Sequence, residues 1–225
     1  PLSALNPVLR IGQQIGEPLR YHRGMAGSSV RAEVLRLLGL VRIPRASTCM
    51  DRYPHELSGG MRQRVMIATA IACKPRVLLA DEPTTALDAT TQAQVLRLLR
   101  DLQDEIGMAL ILVTHDLGVA AHMADRVAVM YAGELVELAA AAELFARPSH
   151  PYTEALLRSL PRVDRDIAVL DAIPGSVPAP GSWPVHCRFA ERCGLRLPRC
   201  EAMHPALTGS ARAAAQVRCV VRGAS

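Results

Sequence analysis

The sequence predicts an α/β domain built on a mostly parallel sheet, followed by a small irregular domain. Three observations carry that expectation. Val77-Leu78-Leu79-Ala80 and Ala109 to Val113 are short continuous apolar runs, the pattern of parallel strands buried on both faces. Between them, Val95, Leu98, Leu99, Leu102 and Ile106 recur at spacings of three and four, which predicts a helix over about 89–106. Strands alternating with helices in this way build a parallel sheet. Third, residues 144–225 carry 11 Arg against 6 acids, nine of the sixteen prolines and four of the six cysteines, whereas charge cancels over 1–143. That shift places a domain boundary near residue 143.

The remaining elements follow in order. Ser28 or Ser29 caps a helix over 28–40, with Val34, Leu35, Leu37 and Leu38 on its apolar face and Gly39 near its end. Leu57-Ser58-Gly59-Gly60 opens a second helix that runs through Cys73. Val127 to Tyr131 and Leu135 to Leu138 flank Ala132-Gly133-Glu134 and read as a hairpin.

Half of the 225 residues are hydrophobic and 21% charged, as in folded domains, and aromatics at 3% predict an aliphatic, alanine-rich core. No uncharged apolar run reaches the roughly 18 residues of a membrane span, and no secretory leader precedes the first helix. Six cysteines without the spacing of a small secreted scaffold favour a reducing compartment. Of the 26 basic residues 25 are Arg; the one lysine, Lys74, lies between Cys73 and Pro75. A phosphate loop G-x-x-x-x-G-K-[ST] needs lysine straight after glycine, so these 225 residues contain none.

Three local features carry chemistry. The first is Asp81-Glu82 at the end of an apolar strand, where open α/β sheets bind ligands. Asp81 suits Mg²⁺, a hard cation that takes oxygen ligands, and Glu82 suits a general base polarising water. The second is Ser58-Gly59-Gly60 before a helix, which exposes backbone N–H groups and the positive dipole end to an anion. The third is His115, just beyond the strand Ala109 to Val113, placed to hydrogen-bond a terminal phosphate. Taken singly, each has a plain structural explanation: a solvated strand exit, a serine cap, a structural histidine.

Order and spacing together tell more. The chain resembles the ATP-binding cassette (ABC) ATPase family: Ser58-Gly59-Gly60-Met61-Arg62-Gln63 is similar to its signature motif, Val77 to Glu82 to its Walker B strand with the catalytic glutamate, Thr85-Ala86-Leu87-Asp88 to its D-loop, and His115 to its switch histidine. Leu5-Asn6-Pro7, Tyr53-Pro54-His55-Glu56-Leu57, His150-Pro151-Tyr152 and the cysteine-bearing tail resemble ATP-binding subunits of bacterial oligopeptide/dipeptide importers, essentially from Pro1 to Cys219. The resemblance implies a partial P-loop ATPase domain over 1–143, with its helical signature subdomain, and a transporter-type domain over 144–225. In the family the phosphate loop lies N-terminal to everything here, and the Q-loop glutamine would fall just before Pro1. The expectation is therefore a C-terminal portion that does not hydrolyse ATP by itself.

The resemblance also implies a mechanism and partners. Two ATPase subunits pair head to tail; Ser58, Gly59, Gly60 and Gln63 of one face the ATP of the other, Asp81 (with Mg²⁺), Glu82 and His115 serve the chain's own nucleotide, and Asp88 links the two sites. Residues 7–20 would meet membrane permeases at the cytoplasmic face of the cell membrane, fed by an extracytoplasmic peptide-binding protein. Peptide is the favoured solute, nickel or another small solute the alternative within the family. Cys187-x5-Cys193-x6-Cys200-x18-Cys219 is spaced too widely for an ordinary zinc knuckle. Some family members hold a [4Fe-4S] cluster through a similar set, with zinc, disulfides or free thiols as alternatives; a protein in which this tail alone functions is a further one. Cys49 and Cys73 read as buried thiols. The basic tail is interspersed with Glu191 and Glu201 and nearly lacks aromatics, which argues against nucleic acid.

Overall fold

The computed structural model describes residues 4–85, 87–159, 172–210 and 215–223. The chain forms two compact units, Pro1–Leu117 and Gly118–Ser225.

The first unit combines helices with a short parallel sheet. Helices α1 (Ile11–Arg23), α2 (Gly27–Leu40) and α4 (Gly59–Ile71) pack on one another, with the single turn α3 (Ala46–Cys49) against α2. Ile11, Ile15 and Leu19, at four-residue spacing, are fully buried on one face of α1. Residues 7–20 are expected within the helical region before the signature-like motif, and α1 forms there although Pro18 sits inside it and proline removes a helical hydrogen bond. Helix α2 begins at Gly27, one residue before the serines expected to cap it; Ser29 donates from its hydroxyl to the Ala26 carbonyl at 2.6 Å instead.

Strand β1 (Val77–Asp81) pairs in parallel with β2 (Ala109–Val113), Leu79 opposite Ile111 and Asp81 opposite Val113. Helix α5 (Ala89–Ile106) joins them, as its periodicity predicts, and buries Val95, Leu98, Leu99 and Leu102. The expectation of strands buried on both faces is overturned. Leu78 and Ala80 are covered, but Leu79 is 72% exposed and Ile111 and Val113 each 52% exposed. Helices of the described chain cover only one side of this sheet, so its other apolar row meets solvent.

After α6 (Leu117–Met123), the second unit is antiparallel. Strands β3 (Arg126–Tyr131) and β4 (Glu134–Ala140) form the expected hairpin. Its turn residues Ala132 and Gly133 both have positive φ, 49° and 80°, the backbone that two-residue hairpins favour. Helices α7 (Ala141–Ala146) and α8 (Pro151–Arg158) follow, then the short α9 (Pro198–Ala202), β5 (Thr208–Gly209) and β6 (Gln216–Val217). The sheet order is β3-β4-β6-β5. Because Glu137 and Leu138 of β4 pair with Val217 and Gln216, the hairpin packs with the tail, and the compact units part at residue 117 rather than near 143. The core here is not purely aliphatic either: Tyr131 meets Tyr152 and Phe189 at centroid distances of 4.7 and 5.2 Å.

Candidate nucleotide-binding site

Two clusters of functional side chains form within the first unit. One lies at the carboxyl ends of β1 and β2. Asp81 ends β1 with its side chain exposed. The chain then turns sharply: Glu82 adopts φ of 44°, donates its backbone N–H to the Val113 carbonyl at 2.9 Å, and accepts from the Thr85 amide at 3.2 Å. Positive φ at a non-glycine residue costs about 1–3 kcal/mol, and such strain collects at functional sites. The turn carries the carboxylate across to the neighbouring strand. Glu82 Oε1 lies 2.9 Å from His115 Nδ1, and Oε2 accepts from the Thr85 hydroxyl at 2.9 Å. The His115 contact, then the Thr85 hydroxyl, hold the Glu82 carboxyl below its ordinary pKa. An ionised carboxylate only accepts, so Nδ1 carries the proton of this contact. His115 can therefore reach a phosphate through Nδ1 only by leaving Glu82; a donation from Nε2 needs a second proton. Both carboxylates fit the group they would serve: Asp81 presents the oxygen donor Mg²⁺ requires, and Glu82 is an ionised base.

The second cluster is the turn Ser58-Gly59-Gly60. Ser58 caps α4, its Oγ accepting from the Met61 amide at 3.3 Å; Ser58 and Gly59 are exposed, with first-turn amides aimed outward. Asp88 caps α5 likewise, with Oδ1 accepting from the Thr91 amide at 2.9 Å and Oδ2 from its hydroxyl at 2.7 Å. Those bonds, the amide first, lower the Asp88 pKa. The two capped ends share an open hollow of about 420 Å³, lined by Ser58, Gly59, Gly60 and Asp88 and flanked by Arg42 and Arg64. A Cβ on Gly60 would lie 2.6 Å from Thr91 Cγ2, so glycine is what lets the helices meet. Gln63, expected to face nucleotide, is instead 7% exposed and turned into the interior: it falls on the buried side of α4, with Val65 and Ile67. Ala86 of the D-loop-like motif lies outside the described residues. Reading the sequence placed Thr85 and Arg62 inside motifs but gave neither side chain a role: the Thr85 hydroxyl bonds Glu82, and Arg62 is treated below.

The tail cysteines do not fit a cluster as placed. The Cys187 amide donates to the Cys200 carbonyl at 3.3 Å, and the Cys187 and Cys193 thiols sense their fellow cysteines. Yet among the described residues no three Cys, His, Asp or Glu side chains are arranged to hold a metal ion. Burial pushes the Cys187 and Cys193 pKa values up. The [4Fe-4S] expectation for Cys187, Cys193, Cys200 and Cys219 is thus unsupported. His150 and its neighbours are structural: buried Glu137 accepts from the Ser149 and His150 amides at 2.7 and 2.8 Å. No helix among the described residues is long and apolar enough to cross a membrane.

The fold is similar to that of solved ATP-binding cassettes. In solved structures, the dimeric ATP-binding cassette MJ0796 bound to ADP and Pi superimposes with a TM-score of 0.54 at 34% identity, covering 61% of this chain and 59% of that one. The ABC transporter family model matches residues 3–85, and the model for the oligopeptide/dipeptide transporter C-terminal region matches 136–200. Oligopeptide transport ATP-binding protein AppD of Bacillus subtilis is 53% identical over 207 residues, 92% of this chain and 63% of that protein. Dipeptide transport ATP-binding protein DppD of the same organism is 49% identical, over 92% and 62%, and a putative peptide import ATP-binding protein of Brucella abortus 52% identical, over 93% and 64%. The chain is thus similar over nearly its whole length to ATP-binding subunits of oligopeptide/dipeptide ABC transporters. It spans somewhat less than two thirds of the length of these relatives.

Proposed function

We propose that this chain supplies the signature-motif and Walker B portions of an ATP-hydrolysing subunit that energises peptide uptake at the cytoplasmic face of a cell membrane. The observation that carries the reading is the Glu82–His115 pair, held at 2.9 Å at the carboxyl ends of adjacent parallel strands. Bound ATP with Mg²⁺ supplies the phosphoryl group that is transferred to water. Asp81 is the residue that would hold the ion. Glu82, ionised and fixed on two sides, orients and deprotonates the attacking water, and His115 senses the terminal phosphate by exchanging its Glu82 contact for it. Across a head-to-tail pair, Ser58 and the Gly59 and Gly60 amides donate to the partner's γ-phosphate, and Asp88 lies at that boundary. Such preset donors act on charge as it develops, where they lower the barrier most. Peptide as solute is supported by the names of the relatives and by the match to the oligopeptide/dipeptide model. Permeases contacting residues 7–20 and an extracytoplasmic binding protein complete the assembly. The cysteine set has no part in this reading.

The chain of residues 1–225 contains no G-K-[ST] loop, so it is expected neither to hydrolyse ATP nor to bind it at micromolar concentration by itself. A fluorescent-nucleotide titration checks this. Mixed with a family subunit that has an intact phosphate loop but a substituted signature serine, the chain is expected to restore hydrolysis. Ser58→Ala in the chain is expected to cut the restored rate by about a hundredfold to a thousandfold, the usual effect of removing one such donor. No stimulation by the wild-type chain overturns the reading.

A further inference from the structure

Arg62 carries a positive charge two residues beyond Gly60, at the end of a helix that would meet phosphate, yet its guanidinium turns away from the hollow. Arg42 and Arg64 line that hollow; Arg62, half-buried, folds back under the signature turn. Its Nε donates to the Pro54 carbonyl at 2.8 Å and to the Leu57 carbonyl at 3.1 Å, and its Nη2 lies 3.5 Å from the His55 carbonyl. The Pro54 carbonyl also accepts the Leu57 amide at 3.1 Å. One side chain thus gathers the carbonyls of Pro54, His55 and Leu57, while its own amide donates to the Ser58 carbonyl at 2.9 Å.

The same segment is fastened on its other side. The Ile11 and Gly12 amides of α1 donate to the Arg52 and Met50 carbonyls at 2.9 and 2.8 Å. Arg10 lies 5.6 Å from the Tyr53 ring centroid, and the Tyr53 ring stacks on His55 at 5.7 Å. The Tyr53 amide donates to Glu56 Oε2 at 2.7 Å. Residues 50–57 are therefore a strap tied at one end to the start of α1 and at the other to Arg62. Leu57 passes from this strap directly into Ser58, so the backbone angles that aim the Ser58 hydroxyl and the Gly59 and Gly60 amides are set by how firmly the strap is held. Preorganised donors lose effect steeply when they can drift.

We propose that Arg62 is a positioning residue for phosphoryl transfer: by clamping the Pro54, His55 and Leu57 carbonyls it holds the Ser58-Gly59-Gly60 donors in their phosphate-facing geometry and ties them to α1. This rests on the donor-in-trans reading of that turn. The test compares wild type, Arg62→Met, which keeps the aliphatic stem, and Arg62→Lys, which keeps the charge, in two assays. Amide hydrogen exchange on the chain reads the clamp itself. Arg62→Met is expected to speed exchange at Glu56, Leu57 and Met61 by about tenfold or more while α5 stays protected, the mark of a local opening. In the mixed hydrolysis assay, Arg62→Met is expected to lower kcat by about tenfold at unchanged KM for ATP, an effect confined to the transition state, with Arg62→Lys between it and wild type. Unchanged exchange in Arg62→Met overturns the clamp. Raised exchange with wild-type kcat overturns the positioning role. If the wild-type chain stimulates no hydrolysis, the donor-in-trans reading falls and the positioning role with it, while exchange still decides whether the clamp exists.

Discussion

His150 is almost wholly buried, and its ring is committed on both sides. Nδ1 accepts the Tyr152 amide at 3.0 Å, and the backbone of Arg218 favours the protonated ring in part. Burial is the main cause that pushes its pKa down from the ordinary 6.5 to about 4. The sign follows directly. Between pH 6.5 and 4 the unfolded chain binds a proton here that the folded chain does not, so the second unit loses stability as pH falls through that window and levels off below it. The contribution is at most about 3 kcal/mol, at 1.36 kcal/mol per pH unit. Trp183, the single tryptophan, sits in this unit with Arg188 4.8 Å above its ring. Its fluorescence during urea unfolding at pH 7, 5.5 and 4.5 is the measurement. His150→Asn keeps an acceptor at the helix cap and is expected to flatten the acid dependence; an unchanged slope would assign that dependence to other groups. The buried Glu137 carboxylate adds a companion test. Glu137→Ala leaves the Ser149 and His150 amides without their acceptor and is expected to cost about 2–5 kcal/mol in the same assay.

At the scale of elements, the meeting of α4 with α5 decides how closely Ser58 and Asp88 approach. Gly60→Ala places a Cβ 2.6 Å from Thr91 Cγ2, inside any tolerable contact, so one helix start must move. Overpacking of this kind costs about 1–3 kcal/mol, and the Asp88–Thr91 cap is the first bond at risk. A lowered melting temperature for Gly60→Ala, recovered when Thr91→Ser removes the obstructing methyl, is the expected outcome; no recovery would place the strain elsewhere. Elements also show what the sequence could reveal. Helix α5, both parallel strands and the hairpin were legible because their periodicity and turn residues act locally, and the positions of Ser58, Asp81, Glu82 and His115 because they sit at a helix start and at strand ends. Gln63 was not, because motif membership says nothing of which side of α4 faces the core. Nor were the partners of Arg62, which are carbonyls rather than side chains.

The least legible feature belongs to the molecule as a whole. Val77-Leu78-Leu79-Ala80 and Ala109 to Val113 carry the composition of strands covered on both sides, and that composition is sound; what it cannot report is whether a second layer is present. In this chain Val77, Leu79, Ile111 and Val113 stand in solvent on a two-stranded sheet, and their register brings Leu79 beside Ile111. A contiguous apolar row next to open strand edges is a surface that proteins normally cover. At about 25 cal/mol per Å² of buried apolar area, covering even part of it favours association. The chain is therefore expected to bind a hydrophobic dye and to self-associate with rising concentration, as followed by sedimentation velocity. Leu79→Lys combined with Ile111→Lys adds charge to the exposed face without touching Leu78 or Ala80 beneath it, and is expected to lower both dye binding and association while the helical circular-dichroism signal persists. Equal association in the double variant would locate the adhesive surface elsewhere, and would mean that the row along β1 and β2 is tolerated in water as it stands.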